Sequence, residues 1–176
     1  DPWGRRHIVT AWNPDQIDQM ALPPCHVMFQ FVVRPYRRSP TYYNVNDPKK
    51  RLELSIVDGS RSPSPYWLDC ILTQRSGDIP LGIPFNIASY SLLTHMISSL
   101  VGLKAGQLIH NIGDAHIYHN QFEGCLTQLE RKPRDPPTIN FEYVETPKII
   151  DDFLFNSIVL NPDYNPDPAI KFPLST

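Results

Sequence analysis

The chain has 176 residues, of which 41% are hydrophobic and 19% are charged, which is enough for one domain with a hydrophobic core. Its formal net charge of −2 gives no reason to expect binding to nucleic acid or to a membrane surface, and no apolar run approaches the ~20 residues of a membrane-spanning helix. The 3 cysteines form no CxxC pair, which argues against a disulfide framework and against a metal site. We therefore expect a reducing compartment, with the cytoplasm as the first expectation and the nucleus as the alternative.

The first predicted elements surround one buried strand. A short β-branched and aromatic run predicts a strand over residues 8–12, and one helical turn follows over 15–20. Nearly continuous apolar residues over 26–33 predict a buried strand. Residues 68–74 have the same character and predict its neighbour.

The stretch between these two strands, residues 34–67, has the composition of a surface loop. It is rich in proline, serine and basic residues, with one short strand candidate over 52–57. Its basic side chains suit either a polyanion site or, as we favour from the overall charge, a solvated loop; they are Arg34, Arg37, Arg38, Lys49, Lys50 and Arg51.

The second half of the chain mixes helical and extended patterns. Apolar residues spaced three and four apart predict a helix over 85–103, closed by a turn at Lys104-Ala105-Gly106. The remaining predicted elements are, in chain order, a strand over 107–112, a helix over 114–130, a strand over 138–144 and an irregular tail over 161–176. Mixed strands and helices without strict alternation predict the α+β class.

Chemically active residues cluster in a few short motifs. Pro23-Pro24-Cys25-His26 places a cysteine at a corner that two prolines make rigid. Gln74-Arg75-Ser76-Gly77-Asp78 leads into Leu81-Gly82-Ile83-Pro84-Phe85-Asn86, and Gly113-Asp114-Ala115-His116-Ile117-Tyr118 comes later. Taken one at a time, these residues favour ordinary structural roles: a packed thiol, a helix cap, a buried histidine.

Together with Arg5-Arg6, and in this order, the motifs resemble the thymidylate synthase family over nearly the whole chain apart from 34–67. A short turn usually joins the two flanking strands in the family, so the resemblance implies that most of this segment is a surface insertion. The resemblance implies a single domain over 1–176, incomplete at its N-terminus, with a large mixed sheet backed by helices. It also implies that the sheet forms the interface of a symmetric homodimer. Members of the family begin well upstream of Asp1, so we expect a fragment or the ordered part of a longer chain.

The resemblance implies reductive methylation of dUMP to dTMP, with 5,10-methylenetetrahydrofolate as carbon donor and reductant, dihydrofolate as product and no metal. Carbon 5 of uracil is a poor nucleophile, and a thiolate that adds to carbon 6 activates it. By the resemblance, this nucleophile is Cys25, and Arg75 lies near both the thiol and the substrate phosphate. The catalytic residues that the resemblance implies are Cys25, Arg75, Asp78 and Tyr118.

The binding residues also follow from the resemblance. Asn86 takes the position that reads a uracil base, and relatives that act on cytosine typically have Asp there. Asp78, Gly82 and Phe85 are implied to bind the folate. The residues implied to bind dUMP are Arg5 and Arg6, reaching from the partner subunit, with Gln74, Arg75, Ser76, Asn86, His116 and Tyr118. His26 and Gln74 are implied to join a network around the nucleophile.

Two departures from the family pattern affect these expectations. Gln121 stands where a histidine is usual, and we expect it to be peripheral. The last residues, 172–176, replace the usual apolar C-terminus that closes over the folate, which suggests weaker closure. The alternatives left open are a pyrimidine nucleotide hydroxymethylase, which ends with water instead of hydride, and an inactive nucleotide-binding or dimerisation fragment.

Overall fold

A four-stranded mixed sheet organises the protein. The computed structural model describes residues 1–35, 66–143 and 145–175. The strands are β1 (Ile8–Thr10), β2 (His26–Pro35), β3 (Tyr66–Asp78) and β4 (Lys104–His116), in that spatial order. β1, β2 and β3 pair antiparallel, whereas β3 and β4 pair parallel. The long helix α1 (Gly82–Leu100) makes the crossover between the two parallel strands.

The hydrophobic core lies between one face of the sheet and α1. Phe29, Phe31 and Val33 of β2 stand opposite Leu72, Cys70 and Leu68 of β3, so all six side chains share a face. The α1 residues packed against this cluster are Tyr90, Leu93 and Ile97. Burial raises the pKa of the Cys70 thiol, which outweighs its hydrogen bond with Thr94. Cys70 is therefore a packing residue.

The other face of the sheet remains partly open in this chain. Gln30, Ile71 and Ile109 form one row across three strands on that face. Ile109 is 39% exposed, and the outward residues around it on β4 are exposed as well. The two isoleucines of this row offer an apolar surface on which a further protein surface can lie.

Smaller elements complete the described part of the chain. Three-residue strands β5 (Ile139–Phe141) and β6 (Ile158–Leu160) pair antiparallel. A 3-10 turn over His119–Gln121 leads into the short helix α2 (Phe122–Leu129). Further 3-10 turns span Pro14–Gln19, Ile150–Asp152 and Phe155–Ser157. Within the described residues, no helix is long and apolar enough to cross a membrane.

The predicted α+β class is confirmed, but several element boundaries were wrong. α1 begins at Gly82 instead of residue 85, because Pro84 is tolerated in a first helical turn. The helix ends at Leu100, and Gly102 adopts a left-handed φ of 67° just beyond it. β6 was not predicted at all.

The predicted turn at residues 104–106 was also wrong, because these residues begin β4. Gly106 lies against the Asp69 carboxylate, which any larger side chain would overlap. Asp69 in turn accepts a hydrogen bond from the backbone N–H of Gln107 at 2.7 Å and forms an ion pair with Arg34. The glycine therefore marks a close approach between strands and not a turn.

Strand pairing places two further element boundaries away from their predicted positions. The helix predicted over 114–130 is strand as far as His116, because Asp114 and His116 pair with Ser76 and Asp78 of β3. β2 and β3 each reach into the predicted insertion, where Arg34 pairs with Trp67. The segment between the strands is therefore 36–65; it lies outside the described residues, as does the strand predicted over 52–57.

The core assignment predicts the cost of emptying one position. Leu72 is 0% exposed, so Leu72→Ala should lower the free energy of unfolding by about 2–5 kcal/mol. Leu129 is 79% exposed, and Leu129→Ala should change it far less. Urea unfolding of the two variants measures the difference, and equal losses would contradict this core.

Candidate active site

The predicted site residues converge at one end of the sheet. The pair Asp78 and His116 marks where the parallel strands β3 and β4 end together, and α1 begins just beyond β3. β2 runs the opposite way, so its first residue, His26, stands beside Gln74. Cys25 therefore precedes β2 at the same end. The carboxyl ends of parallel strands are the usual place for a ligand site.

The corner that carries Cys25 is held by Arg75. The Arg75 guanidinium donates to the carbonyl oxygens of Pro23 and Pro24, at 2.8 and 3.2 Å. The backbone N–H of Arg75 donates to the carbonyl oxygen of Cys25 at 2.9 Å. These bonds fix the Arg75 guanidinium on the corner that carries the partly exposed free thiol. The arrangement is one that suits a cysteine nucleophile.

Cys25 opens onto a cavity of about 340 Å³. In its wall the Tyr90 hydroxyl lies 3.3 Å from Nδ1 of His26, and the two rings meet edge to face. Burial, with a smaller contribution from Cys70, raises the pKa of Tyr90, so its hydroxyl stays protonated and can donate to His26. The lining residues are Val9, Ala11, Pro24, Cys25, His26, Phe29 and Tyr90.

A buried glutamine sets the orientation of Asn86. Gln74 is 3% exposed, and its amide nitrogen donates to the Ser76 carbonyl at 2.8 Å and to Oδ1 of Asn86 at 3.1 Å. Because a backbone carbonyl can only accept, Gln74 must present its NH₂ group on this side. Its own oxygen accepts from Nε2 of His110 at 2.8 Å. Asn86 is left with an NH₂ group that has no hydrogen-bond partner in the described part of the chain, and with a second acceptor position on Oδ1.

Asp78 lies at the start of α1. Its Oδ1 accepts from the backbone N–H of Leu81 at 3.3 Å. Gly82, Phe85 and Asn86 are spaced by three and four residues, so they share one face of the first helical turns. Phe85 is 69% exposed. A side chain at Gly82 would meet protein atoms only at ordinary contact distance, so internal packing does not require glycine there.

His116 and Tyr118 lie at the end of β4, as their alternate spacing predicted. Their rings meet edge to face with centroids 5.0 Å apart. Nδ1 of His116 is buried, and no hydrogen-bond partner is found for it among the described residues. Asp114 Oδ2 lies 3.5 Å away without the alignment of a hydrogen bond. An unsatisfied buried nitrogen of this kind is suited to a ligand group.

Arg5 and Arg6 are not part of this cluster within one chain. Both are exposed and precede β1. The Arg5 carbonyl accepts from the Gln30 side chain at 3.1 Å. Gln30 lies further along β2 than Cys25, by about 17 Å of extended strand.

Three site residues were misjudged or missed from the sequence. Gln121, expected to be peripheral, is fully buried and donates to Oδ2 of Asp78 at 2.8 Å. Its spacing of three residues from Tyr118, which allows a side chain to reach back to a turn's first N–H, was the available signal. Tyr90 was not singled out, although it lies one helical turn from Asn86. His110 was expected to be structural, and it orients Gln74.

The sequence as a whole matches a known protein family. The family model described as thymidylate synthase matches residues 1–176. The chain belongs to the thymidylate synthase family. The resemblance seen in the motifs is thus confirmed. Among the described residues, no group of three or more His, Cys, Asp or Glu side chains could hold a metal ion.

Curated thymidylate synthases from bacteria match almost the entire chain. The protein from Staphylococcus haemolyticus is 44% identical over 174 residues, which cover 99% of this chain and 44% of the relative. Those from Listeria monocytogenes and Listeria innocua are 45% identical over 175 residues, covering 99% of this chain and 45% of each relative. The chain therefore spans less than half the length of these thymidylate synthases.

The environment of His110 predicts how stability depends on pH. Burial first, and nearby His26 second, lower the pKa of His110 from its ordinary value of 6.5. The unfolded chain therefore takes up a proton before the folded one as pH falls, so the free energy of unfolding should decrease below about pH 6.5.

His110→Gln keeps a donor for Gln74 but cannot titrate, so it should flatten this decrease. His95→Gln should remove a separate part of it, since burial also lowers the pKa of His95. Urea unfolding at several pH values measures both slopes. An unchanged slope in the His110 variant would contradict the assignment.

Proposed function

We propose that the full-length protein carrying this chain converts dUMP to dTMP, with 5,10-methylenetetrahydrofolate as carbon donor and reductant. The observation that carries the proposal is the convergence of the Arg75-held Cys25 corner with the Gln74–Asn86 amide pair at one end of the sheet. A nucleophile and a base-reading amide are the two groups that methylation of a uracil ring most requires. Membership of the thymidylate synthase family supports the same reaction.

Cys25 is the proposed nucleophile. Its thiolate adds to carbon 6 of the uracil, and the electron pair of the 5,6 double bond moves to carbon 5. Carbon 5 attacks the methylene carbon of the folate as the bond from that carbon to N10 breaks and N10 takes up a proton, so the methylene stays joined to N5. Loss of the carbon 5 proton, in which Tyr118 helps, and departure of tetrahydrofolate leave an exocyclic methylene. Hydride from tetrahydrofolate completes the methyl group, forms dihydrofolate and releases the thiolate.

Substrate recognition is assigned to groups with matching hydrogen-bond chemistry. The NH₂ group of Asn86 suits O4 of uracil, and the remaining acceptor position on Oδ1 suits N3–H. Arg75 supplies a guanidinium for the phosphate dianion, with Ser76 beside it. Gln74 keeps Asn86 in the required orientation. His116, with its unsatisfied Nδ1, and Tyr118 are assigned to the sugar hydroxyl.

The folate is assigned to the start of α1. Asp78 offers carboxylate oxygens to the pterin ring, and the exposed ring of Phe85 offers a surface for stacking. Gly82 leaves room for the cofactor to approach the backbone.

Arg5 and Arg6 are assigned to the phosphate of a partner subunit in a homodimer. Their distance from the Cys25 corner of their own chain and the open apolar row at Ile71 and Ile109 both support this assignment. A cytoplasmic location is proposed from the bacterial relatives and the three free thiols. No observation supports the nuclear alternative.

Covalent trapping tests the proposed nucleophile. With 5-fluoro-dUMP and methylenetetrahydrofolate, the full-length protein should form a stable adduct on Cys25, because fluorine cannot leave carbon 5 as a proton does. Cys25→Ser should abolish trapping, since a serine hydroxyl is a weaker nucleophile at neutral pH. Cys125→Ser, a matched change at another free thiol, should trap normally. Peptide mapping that finds the adduct on another cysteine would contradict the assignment.

The product formed with dUMP separates the alternatives. Mass spectrometry should detect dTMP and an equal amount of dihydrofolate. A 5-hydroxymethyl product would instead indicate a hydroxymethylase, and binding of dUMP without turnover would indicate an inactive nucleotide-binding protein.

Complementation tests the shared site. A variant with Arg5→Ala and Arg6→Ala should bind dUMP at least ~10-fold more weakly, because it loses charged hydrogen bonds to the phosphate. Unfolded and refolded in equal amount with Cys25→Ser chains, it should regain about a quarter of the normal activity, since half of the dimers then carry one intact site of two. Hybrid dimers without activity would show that the arginines do not serve the partner.

A further inference from the structure

Gln121 joins three parts of the structure through one amide group. Its Oε1 accepts from the backbone N–H of Tyr118 at 3.0 Å. Its Nε2 donates to Oδ2 of Asp78 at 2.8 Å and to the carbonyl oxygen of Pro173 at 3.2 Å. The Gln121 side chain is fully buried.

The partners of Gln121 allow only one orientation of its amide. The Tyr118 N–H can only donate, whereas the Asp78 carboxylate and the Pro173 carbonyl accept. The amide oxygen must therefore face Tyr118, and the two N–H groups must face Asp78 and Pro173. The amide oxygen and each of the two N–H groups thus have one hydrogen-bond partner apiece.

The C-terminal segment (residues 172–175) is seated on the same turn and helix by two more contacts. The Phe172 ring lies directly over Gly124 of α2, where a methyl group would overlap it. The Ser175 hydroxyl and the Asn120 side-chain amide exchange hydrogen bonds at 2.9 and 3.0 Å. The segment thus contacts residues on both sides of Gln121.

We propose that Gln121 is a positioning residue that holds the Asp78 carboxylate and the C-terminal segment in one hydrogen-bonded unit on the folate side of the site. This rests on the proposed function, in which Asp78 contacts the folate. With Leu81 N–H on Oδ1 and Gln121 on Oδ2, the carboxylate is fixed from two sides and keeps lone pairs for a ligand. The C-terminal segment is tied to that carboxylate through the second N–H of the amide.

A histidine at this position could not make the same set of bonds. A neutral imidazole has one N–H and one acceptor nitrogen, so it could accept from Tyr118 and donate to only one of Asp78 and Pro173. A glutamate could accept from Tyr118, but it would set a second carboxylate against Asp78. The histidine therefore loses one of the two donor functions of Gln121, and the glutamate loses both.

The test is binding of dihydrofolate to the full-length protein saturated with dUMP. Gln121→His should raise the dissociation constant for dihydrofolate about 10-fold, because either Asp78 or Pro173 loses its donor, while that for dUMP should change by less than about 2-fold. Gly124→Ala should act in the same direction, since it displaces Phe172 without altering Gln121. Gln128→His, the matched change on the exposed side of α2, should leave both constants unchanged.

Gln121→Glu adds a signature that a purely structural residue would not produce. At about pH 8 the facing carboxylates should repel and dihydrofolate binding should be largely lost, whereas at about pH 6 a proton shared between them should restore part of it. The neighbouring His116 and Tyr118 rings are the same in every variant, so they do not account for a difference between the Glu and His substitutions.

The outcomes distinguish this proposal from the proposed function. If Asp78→Asn leaves dihydrofolate binding unchanged, the folate role of Asp78 is wrong. If Asp78→Asn weakens dihydrofolate binding but the Gln121 variants do not, or if they weaken dUMP and dihydrofolate binding equally, the positioning role of Gln121 is wrong. Selective weakening in Gln121→His, with pH-dependent recovery in Gln121→Glu, supports it.

Discussion

The parallel pairing of β3 with β4 is the constraint on which the rest of the structure depends. It brings Asp78 and His116 to the same end of the sheet, and it requires α1 as the crossover between the strands. The start of α1 consequently faces the ends of both strands. Because β2 runs antiparallel to β3, its first residue lies at that end of the sheet too. Cys25, which precedes β2, therefore lies beside Arg75. One pairing thus collects residues that are far apart in the sequence.

Backbone groups then determine how the polar side chains at this end of the sheet are oriented. The Ser76 carbonyl fixes the amide of Gln74, which fixes Asn86 on one side and His110 on the other. The Tyr118 N–H fixes the amide of Gln121, which presents its donors to Asp78. A backbone N–H can only donate and a backbone carbonyl can only accept, so each buried glutamine amide has one orientation. Each glutamine therefore presents its NH₂ group, as a donor, to a side chain that faces the site. Rigid positioning of this kind lowers the cost of organising a ligand.

Much of the fold and of the site could be predicted from local patterns. Continuous apolar residues indicated β2 and β3, and helical spacing indicated α1, because each of these elements buries a continuous face. Motif order identified the family before any geometry was known. The predicted boundaries are wrong where long-range strand pairing outweighs local preference. Local pattern predicts a turn at Gly106, but this glycine lies in a strand against Asp69. Local pattern also predicts a helix start at Asp114, but this residue pairs with Ser76 in the sheet.

The sequence by itself determined the chemical inventory: a cysteine at a rigid prolyl corner, an arginine, an amide and a carboxylate in family order. It also determined that the chain is α+β, since composition and periodicity are local properties. Only the tertiary structure decided that Gln121 is buried against Asp78 and that Arg5 and Arg6 lie away from the Cys25 of their own chain. The physical reason is that hydrogen-bond partners of buried side chains come from distant segments, and their positions are set by sheet register and not by neighbouring residues.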